Sequence, residues 1–194
     1  MKKIAIITIL SLVVSFRPAL ADPQPSDTEI NLKYIKNFIK ENPNDPNLYF
    51  VKGQILIELN KYNAAQKAFE TVISMYPEYD EAYLELANAQ NHLGKYEEAM
   101  MNINMYLSKH PTDISAIILS GQIQVAFGAF DKAITLADQA LDLDAENGEA
   151  YLLKGEALYE AGNDNDAVYN WQKARELGQV EAELHLKYLF EPVW

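Results

Sequence analysis

The sequence has no cysteine. Disulfides, a catalytic thiol and cysteine-based zinc sites are therefore excluded, and so is a lipoprotein-type attachment. Histidine is nearly as scarce: His92, His110 and His185 share no spacing that would build a triad or a metal site. They read as a groove-edge residue, a loop residue before a proline and a surface residue. No glycine-rich phosphate loop, G-x-S-x-G or H-E-x-x-H is present. The segment from Asp142 fails as a calcium loop, because Leu153 stands at the twelfth place, where a bidentate glutamate is needed. The acidic turn from Gly162 to Asp166 reads as a helix N-cap. The expectation is a non-enzyme with no catalytic residue, no cofactor and no metal. Cations are also few, 16 against 28 carboxylates for a net charge of −12. That balance argues against nucleic acid and anionic membrane surfaces as partners.

No apolar run reaches the roughly 20 residues of a membrane-spanning helix. The run from Ile4 to Phe16 follows Met1-Lys2-Lys3 and precedes Ala19-Leu20-Ala21. Basic start, short apolar stretch and small-x-small site are the order of a signal peptide, here of bacterial appearance and spanning residues 1–21, with an uncleaved anchor the poorer reading that Arg17 and Pro18 leave open. Its cleavage removes three cations and no carboxylate, so the net charge goes from −12 to −15. A periplasmic or secreted protein follows, with no membrane insertion after cleavage and with about 173 residues, a size for one domain.

What is abundant is internal repetition. Residues 80–113 recur in altered form, without gaps, as 46–79, 114–147 and 148–181. The fourth place of each unit holds Tyr49, Tyr83, Ile117 or Tyr151, the eighth Gly53, Ala87, Gly121 or Gly155, and the twentieth Ala65, Ala99, Ala133 or Ala167. The small eighth and twentieth places predict close approach of two helix backbones within each unit. Asn60, Gly94, Gly128 and Gly162, which tolerate a left-handed backbone, are positioned to close the first helix of each pair. Pro77 and Pro111 end the second helices, while Ala145 and Gln179 at that place predict less sharply defined junctions.

Residues 22–25 read as a disordered lead-in. Residues 26–45 form a half-repeat whose helix opens on a Ser26/Glu29 capping box and carries Ile30, Tyr34, Ile35, Phe38 and Ile39 as its apolar stripe. Residues 182–194 read as a capping helix and a tail ending in Trp194.

The 34-residue period and these places resemble the tetratricopeptide repeat. The resemblance implies an all-α fold, a right-handed α-α superhelix, or solenoid, of four full repeats between an N-terminal half-repeat helix and a C-terminal capping helix. It also implies that the first helices line a concave groove that grips ligands from set places. Carried onto this sequence, place five gives Phe50, Leu84, Ile118 and Leu152, place nine Gln54, Asn88, Gln122 and Glu156, and place twelve Ile57, Asn91, Val125 and Tyr159. The apolar places would hold a peptide's side chains, and the amides would serve its backbone as donors and acceptors.

The carboxylate clamp of chaperone-binding members is missing. Places two and six hold Asn47, Glu81, Ser115, Glu149 and Val51, Glu85, Leu119, Leu153, with no cation among them. Glu149, Glu156 and Glu160 make the fourth repeat acidic, so a neutral, apolar or basic segment of a protein or peptide partner is expected. The functional expectation is a scaffold or adaptor serving the bacterial cell envelope. Self-association through the convex face or the ends, giving a homo-oligomer, is the alternative. Three departures from the family pattern carry expectations for packing. Gln90 and Gln124 at place eleven need partners if buried, the Lys52 and Lys154 stems must pack while their ammonium groups reach water, and Trp171 is expected to fill space left by Ala137 and Ala140.

Overall fold

A computed structural model describes residues 26–190. The leader over 1–21, the lead-in over 22–25 and the tail from 191 onward lie outside the described residues. The described chain holds ten helices: α1 (Asp27–Glu41), α2 (Pro46–Glu58), α3 (Tyr62–Met75), α4 (Asp80–His92), α5 (Tyr96–Leu107), α6 (Ile114–Ala126), α7 (Phe130–Leu143), α8 (Gly148–Glu160), α9 (Asp164–Glu176) and α10 (Glu181–Phe190).

Helix α1 starts as its sequence predicts. The Ser26 hydroxyl accepts from the Glu29 amide at 3.2 Å, and the Glu29 carboxylate accepts from the Ser26 amide at 3.1 Å. Asp45, Asp113 and Asn147 cap α2, α6 and α8 with their side chains. Asn163, by contrast, makes no capping bond to the backbone of α9 and instead donates to Asp166 at 2.8 Å. Asp164 and Asp166 still favour the helix start, since they sit in its first turn, at the positive end of the dipole.

The first helix of each pair ends in a left-handed residue, Asn60, Gly94, Gly128 or Gly162, with φ of 55°, 70°, 73° and 82°. The next amide then folds back, from Lys61 to the Leu56 carbonyl at 2.8 Å and from Lys95 to that of Gln90 at 2.9 Å, the bond of a Schellman end. Helix α9 closes the same way at Gly178, φ 91°, with Gln179 donating to Ala174 at 2.9 Å. The junction with Gln179 in place of proline is therefore sharply defined after all, because Gly178 performs the termination, whereas the one with Ala145 ends on Asp144 without a left-handed residue. A Cβ added at Gly94 would meet nothing within 4 Å, so a substitution there probes backbone conformation alone. Gly94→Ala is expected to cost about 1 kcal/mol in chemical denaturation, and Gly94→Asn less. An alanine variant as stable as wild type would show that the turn relaxes.

Each helix packs on its neighbours in sequence, and the first helices also touch one another from repeat to repeat. The second helices make no comparable set of contacts among the described residues, so the chain curves with α2, α4, α6 and α8 on the inside. The interior is a file of four apolar clusters along the superhelix, centred on Phe69, Ile103, Leu153 and Trp171. No unit buries its stripe alone, as expected of a solenoid.

The small eighth place has a different cause from backbone approach. A Cβ on Gly53 would overlap the Phe69 ring, and one on Gly155 would lie 2.5 Å from the Trp171 indole. Glycine there makes room for a large ring from the second helix of the same repeat. In the third repeat that partner is only Ala137, and the space over Gly121 is taken by Leu153 of the next repeat, which a Cβ at Gly121 would overlap. Leu153, rather than Trp171, shares a cluster with Ala137 and Ala140. Gln90 is buried, and its carbonyl oxygen accepts from Asn102 at 2.7 Å. Gln124 donates to the Met100 sulfur at 3.8 Å, and Lys154 pairs with Asp138 at 2.6 Å.

Candidate functional site

The concave surface is built from one face of α2, α4, α6 and α8. Its first three repeats are mixed apolar and amide. Leu84, Asn88, Asn91, Ile57 and Val125 are half-buried there, and Gln54 is exposed, donating to Glu85 at 3.1 Å across the junction between the first two repeats. Phe50 is half-buried and belongs as much to the core as to the groove, with its ring 5.7 Å from Phe69 and 5.0 Å from Tyr79. Ile118 is a correction. It is only 3% exposed, enclosed with Ile117 and Leu153 between the third and fourth repeats, and cannot contact a ligand. The two differ in cause: Phe50 packs within its own repeat, on Phe69 and Tyr79, whereas Ile118 is closed in by the next repeat.

The fourth repeat holds the more defined feature. Gln122, Glu149, Leu152, Leu153, Glu156, Gln179 and Glu181 line a cleft of about 340 Å³. The cleft therefore contains three carboxylates, two amides and an apolar floor. Tyr159, further along α8, is exposed and its ring lies 5.4 Å from Trp171. Glu156 is the innermost acid. Burial pushes its carboxyl above the ordinary range, His185 acts in the opposite sense, and the nearby Glu160 and Glu181 push it further up. Glu160 itself does not line the cleft; Glu181 from α10 supplies the third carboxylate in its stead.

His185 is not a plain surface residue. Its Nε2 lies 3.3 Å from the Glu156 carboxylate, and its ring stacks on Trp171 at 4.7 Å and 11°. His92 stacks on Tyr62 at 4.2 Å, and His110 lies 3.2 Å from Asp80 beside Tyr106. Gln179 and Glu181 close the fourth repeat and His185 lies beyond it, so none of the three stands at a groove place that the resemblance carries over. Among the described residues no group of three or more histidines and carboxylates could hold a metal ion.

The family model of the tetratricopeptide repeat matches residues 50–113 and 119–181. The chain belongs to the tetratricopeptide repeat family. Tetratricopeptide repeats are scaffolds that generally mediate contacts between proteins. Among curated proteins it is similar to Protein CTR9 homolog of Arabidopsis thaliana, 27% identical over 124 residues, which are 63% of this chain and 11% of that protein. The chain spans between about a tenth and two fifths of the length of the curated relatives it matches. Among solved structures it is similar in fold to MamA, residues 41 to the end, from Desulfovibrio magneticus RS-1, with a TM-score of 0.71, 23% identity and coverage of 78% of this chain and 86% of that one. It is likewise similar to YrrB, described as a TPR protein with an unusual peptide-binding site, with a TM-score of 0.67, 17% identity and coverage of 83% and 84%.

Proposed function

We propose that this protein is an exported adaptor, periplasmic or secreted, that holds a segment of a partner protein in its concave groove and seats a basic side chain of that segment in the fourth-repeat cleft. The observation that carries this reading is the cleft itself, with Glu149, Glu156 and Glu181 around Leu152 and Leu153. The raised carboxyl of Glu156 supports it through linkage. A carboxyl raised by burial favours the fold in its protonated form, and that contribution is lost as pH rises through the raised value. At neutral pH the ionised group is a cost to the free protein, partly offset by His185. A lysine or arginine entering the cleft would offset the rest, and its aliphatic stem would lie on the leucines. The amides of Asn88, Asn91 and Gln122 would serve the peptide backbone upstream, as peptide grooves of this kind require. The similarity to a peptide-binding relative of the same fold is in keeping with this.

The test is selection from a library of random twelve-residue peptides on wild type and on the Glu149→Gln, Glu156→Gln variant. Wild type is expected to enrich lysine or arginine at one position, with binding that weakens as salt is raised. The variant should lose that enrichment and bind a selected peptide about tenfold or more weakly, the worth of one well-placed charge contact. Equal enrichment on both proteins, or none on wild type, would overturn the reading.

A further inference from the structure

The two ends of the described solenoid are unlike, and each exposes what the other lacks. Helix α1 is in register with the second helices, so Tyr34 and Phe38 fall at the places of Ala68 and Val72 in the first full repeat and of Asn170 and Ala174 in the fourth. Those four are buried, whereas Tyr34 is 60% and Phe38 46% exposed, with Ile30 on the same face at 38%. In a full repeat the first helix of the pair covers these places. The same missing helix would also cover Val51 of α2. Its counterpart in the fourth repeat, Leu153, is buried against the preceding first helix at Gly121, while Val51 is 40% exposed.

At the other end α10 is, among the described residues, a first helix without a second. Ala182 and Leu186 are buried four apart, as Ala82 and Leu86 are in α4, and Leu184 on the outward side is 57% exposed. A solenoid end adapted to water has a polar outer face. Here Ile30, Tyr34 and Phe38 break that face at the first end, and Leu184 breaks it among the exposed Glu181, Glu183 and Lys187 at the other.

Charge gives the pairing a direction. Residues 26–61 carry five carboxylates and five cations, and residues 144–190 carry ten carboxylates and four cations. Two copies meeting by their acidic ends would repel, whereas the balanced end meets the acidic end without that cost. Burial and the nearby Lys36 ammonium push Lys52 below its ordinary value, so the first end holds two lysines that would gain from an approaching carboxylate.

We propose that copies of this chain dock end to end, α10 of one copy lying against α1 and Val51 of the next, so that the two helices complete one further repeat across the junction. Such a contact joins different surfaces on the two partners. It adds copies along an open superhelix and does not close a dimer. With Ala182 matched to Ala82, Lys187 falls at the eighth place and Asn31 at the twentieth, where internal repeats have glycine or alanine. The junction is therefore looser than an internal one, and the assembly is reversible and concentration-dependent.

Sedimentation velocity of the purified protein tests this across a wide concentration range, with Tyr34→Glu, Phe38→Glu blocking one end and Leu184→Glu blocking the other. Wild type is expected to shift from monomer to a series of larger species with rising concentration. Each blocked variant alone should stay monomeric, and an equimolar mixture of the two should form a dimer of twice the monomer mass and nothing larger, since one intact junction remains. The altered side chains are exposed, so circular dichroism should show folded protein for both. A monomeric wild type at all concentrations, a blocked variant that dimerises by itself, or a mixture that stays monomeric would each overturn the proposal.

Discussion

Truncating Trp171 to alanine is expected to cost about 3–5 kcal/mol of stability, the range for removing a large aromatic from a packed interior. The indole is 2% exposed, lies over Gly155 and is flanked by Tyr159 and His185, so it joins α8, α9 and α10 at one point. Its Nε1 is buried with no hydrogen-bond partner, itself a destabilising feature. Trp171→Phe keeps ring contact and removes that orphan donor, and should therefore lose less than half of what alanine loses. Urea denaturation followed by circular dichroism measures both. The alanine variant should also bind basic peptides poorly, because α10 supplies Glu181 to the cleft and His185 to Glu156. An alanine variant within about 1 kcal/mol of wild type would show that the last helix is anchored elsewhere.

The second large effect is a coupling. Gly53→Ala should destabilise the protein by about 1–3 kcal/mol although alanine is the better helix former, because its Cβ would overlap the fully buried Phe69 ring. The second repeat solves the same place with Ala87 opposite Ile103, both fully buried. Combining Gly53→Ala with Phe69→Ile copies that pair into the first repeat. The double variant should be more stable than the sum of the single effects predicts, by about 1–3 kcal/mol in a double-mutant cycle. Some loss will remain, since Phe69 also meets Phe50 edge to face. Strict additivity would mean that the helices slide apart instead.

These effects show where reading the sequence succeeds and where it stops. Turns and helix starts held within one repeat were mostly legible, although the glycines at the eighth place answer to the Phe69 and Trp171 rings and Asn163 caps no backbone. The left-handed residues Asn60, Gly94, Gly128 and Gly162 stand in turns that need them, the Ser26/Glu29 box caps its helix, and the amide at Gln90 has its partner in Asn102. Features that cross a repeat boundary were not. Whether Leu153 or Trp171 fills the third repeat, and whether Ile118 faces water or its neighbour, depends on paired volumes that an alignment of repeats does not compare. The cleft was half legible. Glu149 and Glu156 stand out by composition, whereas Glu181 and His185 stand at no groove place that the resemblance carries over.

Leu153 has a mechanical consequence. Seated over Gly121, it bolts the third and fourth repeats together through an apolar plug, whereas the first and second share the Phe69 cluster through Leu86 and Ala89 and are bridged besides by the exposed contact of Gln54 with Glu85. A side chain locked in a close-packed interior resists shear, and an exposed amide–carboxylate contact exchanges readily with water. The third and fourth repeats are thus keyed to each other by a single side chain, so the leucine that lines the acidic cleft is held in place by the repeat before it.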